Sequence, residues 1–333
     1  MRQYQVYGIG AALVDTEIRV DDSFLQQCGI EKGYMTLVDE ARQHELMALL
    51  QDHLVASRRA SGGSAANSII AHSYLGGSAY YSCKVANDDN GAFYLNDLRE
   101  AGVEACYQHS LAEQGITGKC LVMITPDAER TMNTFLGISE TLCEKNVNLD
   151  ALASSEWLYM EGYLVTSPTG RQAAIRAREH AQRCGVKTAL SFSDPGMVEF
   201  FRDGLQQMIG ERVDLVFCNE HEALGWAGSD NLDDAMAAIR QVADTFAITL
   251  GARGALVFDG HKLHEIAATP VRAVDTNGAG DAFAGGFMYG ITHGMSYAEA
   301  GRLAVMTAGR VVSEYGPRMD REGYRQVLAT FAG

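Results

Sequence analysis

The segment from residue 275 to residue 288 places small residues and a carboxylate where a loop becomes a helix. Gly278, Ala279 and Gly280 leave the backbone uncovered, and the apolar side chains after Asp281 have helical spacing. The first N–H groups of a helix lack partners within it and favour an anion such as phosphate, while the helix dipole favours an ionised Asp281. The spacing suits phosphoryl transfer to an alcohol, in which Asp281 would contact the hydroxyl group. The same pattern also fits a glycine-rich helix start without chemistry.

The wider sequence around this turn resembles one enzyme family. Residues 275–281, Asp-Thr-Asn-Gly-Ala-Gly-Asp, resemble the signature of ribokinase-like (PfkB) carbohydrate and nucleoside kinases. The similarity to adenosine kinase-like members is broader and includes residues 32–40, 62–69, 159–168 and 191–195. The resemblance implies a ribokinase-like three-layer α/β/α sandwich with a mostly parallel central sheet and a small β-sheet lid. It also implies an ATP-dependent kinase that acts on the primary hydroxyl group of a ribonucleoside, with adenosine as the leading acceptor.

Two other functions stay open from the sequence. The first is a kinase of the same family that acts on a free sugar such as ribose or fructose, and the second is a nucleoside-binding regulator without catalysis. Asp281 and the intact glycine turn argue against the regulator. Ala11 stands where adenosine kinases typically have an asparagine near the substrate, so one polar contact expected from the resemblance is missing.

The resemblance assigns acceptor binding to Asp15, Gly62, Gly63, Asn67 and Tyr163. A carboxylate at position 15 suits a vicinal diol because it can accept hydrogen bonds from both hydroxyl groups. The paired glycines would let the backbone approach the substrate and act as a hinge for lid closure. The tyrosine would stack on a nucleoside base. Taken singly, these residues also fit a turn, a helix cap and a core tyrosine.

Three further residues resemble groups that handle the nucleotide phosphates. Arg130 resembles the lid arginine that reaches the transferring phosphate, a task that suits the planar guanidinium group, although a surface arginine would give the same sequence. Asn219 and Glu222 resemble the Asn-x-x-Glu motif that organises Mg²⁺ and its waters beside the nucleotide. The same pair also predicts a helix N-cap with a capping-box glutamate.

Two loops resemble the family's ATP and cation loops. Thr249, Gly251 and Gly254 resemble the nucleotide-side loop, in which small residues let ATP lie against the backbone, but an ordinary hairpin turn fits as well. A monovalent-cation loop lies beside the anion site in many relatives. The positions that resemble it, and that would add K⁺ to the cofactors ATP and Mg²⁺, are Asp275, Thr276, Ser313 and Gly316.

Apolar runs alternate with amphipathic helical stretches along the chain. The runs predict strands at residues 5–10, 79–85, 157–162, 187–192, 215–218, 246–250 and 255–259. Helical spacing occurs at residues 167–184, 231–246 and 296–315. The alternation predicts a mostly parallel sheet with helices on both faces.

Two regions depart from this alternation and predict a small β lid. Residues 15–21 alternate apolar and polar side chains, and residues 115–124 with 130–138 have the pattern of a hairpin. Because the chain shows no linker or internal repeat, we expect a single catalytic domain over all 333 residues. The lid would be formed by insertions at about 11–40 and 104–139.

Composition limits the classes of partner. Of the 333 residues, 47% are hydrophobic, and no stretch is long and apolar enough to span a bilayer. The net charge of −15 disfavours nucleic acid and anionic membranes as partners. The N-terminal residues lack the pattern of a secretion signal, which predicts a cytoplasmic protein. The resemblance leaves open a monomer or a lid-mediated homodimer.

Two other patterns point away from alternative chemistry. The seven cysteines are scattered without a Cys-x-x-Cys pair, which predicts neither a disulfide framework nor a zinc site. Gly8 and Gly10 follow a strand as in a dinucleotide-binding fingerprint, but the third glycine is missing and the next residues alternate as in a strand. An NAD-binding function is therefore disfavoured.

Overall fold

A computed structural model describes residues 2–50, 59–105 and 113–332 of the protein. Apolar segments form the strands at its centre. The strands are β1 (Tyr4–Ile9), β2 (Leu13–Arg19), β3 (Met35–Leu37), β4 (Arg59–Gly62), β5 (Ala79–Ser82), β6 (Glu104–Ala105), β7 (Thr117–Ile124), β8 (Arg130–Gly137), β9 (Ser155–Glu161), β10 (Lys187–Ser191), β11 (Val213–Asn219), β12 (Ala243–Thr249), β13 (Ala255–Phe258) and β14 (Leu263–Ile266). The helices are α1 (Asp22–Gln27), α2 (Glu40–Leu49), α3 (Ser64–Tyr74), α4 (Asp89–Glu100), α5 (Leu149–Ala153), α6 (Pro168–Arg183), α7 (Pro195–Phe200), α8 (Arg202–Ile209), α9 (Glu220–Ala227), α10 (Leu232–Val242), α11 (Ala279–Thr292), α12 (Tyr297–Val311) and α13 (Arg321–Ala332).

In the described part of the chain, nine strands form a large sheet in the order β14-β13-β12-β11-β10-β9-β1-β5-β6. The strands from β12 to β6 are parallel, whereas β13 and β14 add an antiparallel edge. Both faces of the sheet are buried. Val6 and Tyr159 pack in one core with α3, α4, α11 and α12, while Ile9 and Met160 pack in another with α6 to α10. This arrangement confirms the predicted three-layer sandwich.

A second sheet lies beside the first and has the strand order β3-β8-β7-β2-β4. β7 and β8 pair antiparallel, which confirms the predicted hairpin. Alternation gives the sheet two different faces. Ile18, Leu121 and Met123 pack against α1 and α2, whereas Asp15 and Cys120 face a cavity.

Several element boundaries differ from those predicted by the sequence. The helix predicted at residues 231–246 ends at Val242, because the next seven residues pair with β11 as strand β12. The helix predicted at residues 296–315 covers Tyr297–Val311. The strand predicted from residue 15 already begins at Leu13. In each case the apolar pattern continues past the end of the helix or strand, and the position of that end depends on strand pairing and packing.

Some sequence-based expectations concern features outside the two sheets. Within the described ranges, no helix combines the length and the apolar character needed to cross a membrane. Cys28, Cys83, Cys120, Cys143, Cys184 and Cys218 have free thiols, while Cys106 lies outside the described residues. Residues 106–112 of the predicted lid insertion also lie outside them.

Candidate active site

A cavity of about 460 Å³ is lined both by residues at the carboxyl ends of the large sheet's strands and by the inner face of the small sheet. Ligands of open α/β sheets bind at this end of the strands. The predicted site residues that line the cavity are Asp15, Gly63, Asn67, Arg130, Tyr163, Asn219, Glu222, Thr249, Gly251, Thr276, Gly278, Ala279, Gly280 and Asp281. The predicted residues outside its lining are Gly62, Gly254, Asp275, Ser313 and Gly316.

The glycine turn has the form that the sequence predicts. Gly278 has left-handed backbone angles (φ 73°, ψ 1°) and caps α11, which begins at Ala279. The N–H groups of Gly280 and Asp281 belong to the first turn, where a helix supplies no acceptors. Because a Cβ atom on Gly280 would meet no neighbouring atom, this end of the helix is open. The turn can therefore receive an anion from the cavity.

Gly278 is the residue of this turn that cannot accept a side chain. A Cβ atom there would lie 1.9 Å from the carbonyl oxygen of Pro317, and the positive φ adds strain. We expect Gly278→Ala to lower the free energy of unfolding by roughly 1–3 kcal/mol, measured by urea denaturation. Gly280→Ala, with ordinary helical backbone and open space, should unfold near the wild-type midpoint. Equal losses in the two variants would contradict this account of the turn.

Asp281 is held by two side chains of α3. Its Oδ1 accepts a hydrogen bond from Ser64 Oγ at 2.6 Å, and its Oδ2 accepts one from Asn67 Nδ2 at 3.1 Å. An ionised carboxylate has about four acceptor positions, so each oxygen can still accept from a ligand hydroxyl. Burial raises the pKa of Asp281, although Ser64, Asn67 and Arg130 oppose the shift. The helix dipole alone predicted the opposite direction, because burial cannot be read from the sequence.

Arg130 reaches the same cavity from the first residue of β8. Burial raises the pKa values of Asp194, Glu222 and Asp281, and the positive charge of Arg130 offsets part of each increase. The arginine is therefore a shared cation among the cavity's carboxyl groups. An anionic ligand such as phosphate could take the place of these carboxylates as its partner.

Asp15 is buried in the wall of the small sheet, beside Gly62. A Cβ atom on Gly62 would lie 2.1 Å from the Asp15 carboxylate, so the glycine makes room for this side chain. Burial raises the pKa of Asp15 well above its usual range, Glu17 adds to the shift, and Arg318 opposes it. A buried carboxyl group that faces the cavity gains most from a ligand that donates hydrogen bonds.

The other predicted acceptor residues differ in their surroundings. Gly63 caps α3 with φ 93°, a conformation that favours glycine. Asn67 uses its amide group for Asp281 and for Arg318, whose Nη1 donates to Asn67 Oδ1 at 2.8 Å. Tyr163 lines the cavity and donates its hydroxyl group to the Ser193 carbonyl oxygen at 3.3 Å. The prediction of direct acceptor contacts from these residues stays a prediction.

The loop with Thr249, Gly251 and Gly254 joins the antiparallel strands β12 and β13. Thr249 and Gly251 line the cavity. Gly254 instead packs against β14, because a Cβ atom there would lie 1.9 Å from the Ile266 carbonyl oxygen. The loop is therefore a hairpin connection, and its first part lies at the cavity.

Comparison with known proteins assigns this chain to a family. The family model described as "pfkB family carbohydrate kinase" matches residues 37–322. The chain belongs to the pfkB family. Membership in this family makes it an ATP-dependent phosphotransferase with a hydroxyl group as acceptor.

Relatives of this pfkB-family chain align over almost its whole length. The adenosine kinase of Sinorhizobium meliloti is 34% identical, with a TM-score of 0.93 and coverage of 98% of this chain and 99% of that one. A probable sugar kinase from Rhizobium etli is 33% identical, with a TM-score of 0.93 and coverage of 99% and 100%. The adenosine kinase of Schizophyllum commune is 28% identical and covers 96% and 97%.

A pfkB-family kinase uses a divalent metal ion with ATP, and Asn219 and Glu222 have the chemistry to bind one indirectly. Glu222 Oε2 accepts from the Asn219 backbone N–H at 2.9 Å, and Oε1 accepts from Asn219 Nδ2 at 2.7 Å. These bonds confirm the predicted capping box. Burial raises the pKa of Glu222 to about 7. Because Mg²⁺ usually keeps several of its waters, contact between Glu222 and the metal through water fits better than direct ligation.

The predicted cation-loop residues lie partly together behind the glycine turn. Asp275 accepts hydrogen bonds from the backbone N–H of Asn277 at 2.8 Å and of Gly316 at 3.0 Å. Thr276 donates its hydroxyl group to the Ala128 carbonyl oxygen, and Ser313 donates to that of Arg310. Among the described residues, no group of three or more His, Cys, Asp or Glu side chains could hold a metal ion.

The sequence reasoning missed several polar residues around the cavity. Glu161 ends β9 and accepts from the backbone N–H groups of Ala11 at 2.6 Å and Ala65 at 2.8 Å. Burial raises its pKa to about 7. Its place at the carboxyl end of a predicted central strand was a usable signal. Ser64 and Asp194 also line the cavity, and Arg318 contacts Asn67 from a segment with no motif.

Proposed function

We propose that this chain transfers the γ-phosphate of ATP to the primary, 5′-type hydroxyl group of a ribonucleoside, with adenosine as the first candidate. The observation that carries the proposal is the position of Asp281. Ser64 and Asn67 hold its carboxylate beside the open start of α11, in the cavity that also contains Asp15. The adenosine kinases among its relatives support the same acceptor class.

In the proposed reaction, the acceptor lies against the small sheet and ATP extends from Asn219 and Thr249 toward the glycine turn. The acceptor oxygen forms a bond to the γ-phosphorus as the bond to the ADP oxygen breaks. Asp281 orients the hydroxyl group and accepts its proton. The N–H groups of Gly280 and Asp281 stabilise charge on the phosphoryl oxygens, and Arg130 adds a cation. Exclusion of water by the small sheet prevents hydrolysis of ATP.

We further propose that the whole chain forms one catalytic domain, with the small sheet as its lid. Hydrogen bonds between the β7–β8 turn and the glycine-turn segment support this arrangement. Ala128, in that turn, accepts from both the backbone N–H and the hydroxyl group of Thr276. Glu17 of β2 accepts from Asn277 Nδ2 at 3.0 Å. Movement of the small sheet would therefore shift the glycine-turn segment that forms the proposed phosphate site.

The metal ion in this proposal is Mg²⁺, held through water by Glu222 with Asn219 as its support. When bound, such an ion neutralises charge on the nucleotide phosphates. We also propose that carbonyl oxygens near Asp275, Thr276, Ser313 and Gly316 bind a monovalent cation such as K⁺. The fixed Asp275 carboxylate would then lie close to the bound cation.

The small-sheet side of the cavity favours a nucleoside over a free sugar. Beside the polar residues Asp15, Arg130 and Thr134, its lining there includes the apolar residues Ala11, Leu13, Met35, Leu37, Cys120, Met132 and Leu136. A nucleobase can bury apolar area against such a surface, whereas a free sugar presents mainly hydroxyl groups. The free-sugar kinase remains the second candidate because a probable sugar kinase is 33% identical. Ala11 cannot make the polar contact with the substrate that an asparagine at this position would supply.

The acceptor class can be tested by thermal unfolding in the presence of a non-hydrolysable ATP analogue. A ligand at 100 times its Kd adds about 2.7 kcal/mol of stability. We expect adenosine to raise the midpoint, with ribose and fructose giving no shift at equal concentration. A shift with either sugar and none with adenosine would make the sugar-kinase alternative the better description. A separate assay with ATP measures ADP formation. Thermal shifts with a ligand that causes no ADP formation in that assay would favour the non-catalytic regulator.

A further inference from the structure

A largely buried arginine connects the segment between α12 and α13 to three other elements behind the proposed acceptor site. Arg318 lies between α12 and α13, and only 9% of its side chain is exposed. It donates to the Ser61 carbonyl oxygen, to Ser61 Oγ at 2.9 Å, to Asn67 Oδ1 at 2.8 Å and to the carboxylate of Asp97. These acceptors belong to β4, α3 and α4. The guanidinium group has the several donors in one plane that such a set of acceptors requires.

The contact with Asn67 fixes which end of its amide group faces Asp281. A guanidinium group can only donate hydrogen bonds, so it requires the amide oxygen on its side. An ionised carboxylate can only accept, so it requires the amide NH₂ group on the opposite side. The observed orientation, with Oδ1 toward Arg318 and Nδ2 toward Asp281, satisfies both partners. In the flipped orientation, the amide oxygen would face a carboxylate and the NH₂ group a cation.

We propose that Arg318 is a positioning residue for phosphoryl transfer, which acts by orienting Asn67 and through it the carboxylate of Asp281. The inference rests on the proposed catalytic role of Asp281. Arg318 contacts Asn67, which in turn contacts Asp281, and it needs no contact with either substrate. The positive charge of Arg318 also offsets part of the increase in the pKa of Asp15 that burial causes.

The test is a double-mutant cycle on kcat with wild type, Arg318→Met, Asn67→Ala and the double variant. Methionine keeps much of the side-chain volume without a donor. We expect Arg318→Met to lower kcat about 10-fold, since small misplacements of a reacting group are costly. We expect no further loss in the Asn67→Ala background, and an unchanged KM for ATP. A kcat within twofold of wild type, or a full additive loss in the double variant, would overturn the proposal.

Arg321→Met is the matched control. This exposed arginine lies three residues further along, donates to the Glu100 carbonyl oxygen at 2.9 Å and stacks over Tyr74. We expect its kcat to equal that of wild type. If Arg318→Met fails to fold, Arg318→Lys takes its place in the cycle, because lysine keeps the charge but cannot serve four acceptors. Lysine should then cause a smaller loss that Asn67→Ala again removes, and a loss that persists in full would contradict the proposal.

A crystal structure of Arg318→Met gives a readout that does not depend on turnover. We expect Asn67 Nδ2 to lose its contact with Asp281 while the backbone of α3 stays in place. A retained contact near 3.1 Å would overturn the proposal. The kinetic cycle uses whichever acceptor the wild type phosphorylates, so an error about adenosine leaves it intact. If the wild type phosphorylates no acceptor, the proposed function fails, and the crystal structure still tests the positioning.

Discussion

Asp281→Asn is expected to lower kcat at least roughly 100-fold, the lower end of typical contributions from acid–base groups. Asparagine keeps the shape of the side chain and can still accept from Ser64. It cannot accept a proton at ordinary pH, and its NH₂ group would meet the NH₂ group of Asn67 or the incoming hydroxyl group. Because the change removes a partly buried carboxyl group whose pKa is raised, the fold should tolerate it.

The measurement is steady-state turnover of adenosine and ATP, together with acceptor binding by thermal shift. We expect acceptor binding to persist in Asp281→Asn while product formation falls. Asp89→Asn is a matched control, because Asp89 is also an acidic residue in the first turn of a helix but is exposed and outside the cavity lining. Its turnover should be that of wild type. Near wild-type turnover in Asp281→Asn would remove this residue from its role.

Asp15→Ala is expected to lower kcat/KM for the acceptor at least roughly 100-fold, while the KM for ATP stays the same. A hydrogen bond to a charged group contributes about 1.5–3 kcal/mol, and the proposed diol contact has two. Burial raises the pKa of the Asp15 carboxyl group, so its removal should leave the protein folded. The loss should therefore appear in kcat/KM for the acceptor and not in the KM for ATP.

Initial rates at varied acceptor and fixed, saturating ATP give this comparison directly. Thr16→Ala is the control, because neighbouring residues of a strand face opposite sides and Thr16 is outside the cavity lining. It should behave as wild type. A kcat/KM for the acceptor within threefold of wild type in Asp15→Ala would exclude Asp15 from acceptor recognition.

The architecture could be predicted because buried parallel strands and amphipathic helices have distinct patterns. The glycine turn, the cap at Asn219 and the β7–β8 hairpin were also predictable, since each depends on residues close together in sequence. The helix at residues 231–246 was too long in the prediction because β12 continues its apolar pattern. Strand pairing, which joins distant segments, decides that boundary.

The electrostatics of the site could not be predicted from the sequence. Asn67 and Asp281 are 214 positions apart, and Asn67 and Arg318 are 251 apart, so no local pattern connects them. The dipole of α11 predicted an acidic Asp281, whereas burial raises its pKa. The missing side chain of Gly62 makes room for Asp15, which no sequence pattern indicated. These properties depend on packing between elements.

The most direct test of the account is a crystal structure with adenosine and a non-hydrolysable ATP analogue bound together. We expect the γ-phosphate to accept hydrogen bonds from the N–H groups of Gly280 and Asp281, with the 5′ hydroxyl group between it and the Asp281 carboxylate. A triphosphate that ends far from residues 278–281, or an acceptor hydroxyl group out of reach of Asp281, would contradict the account.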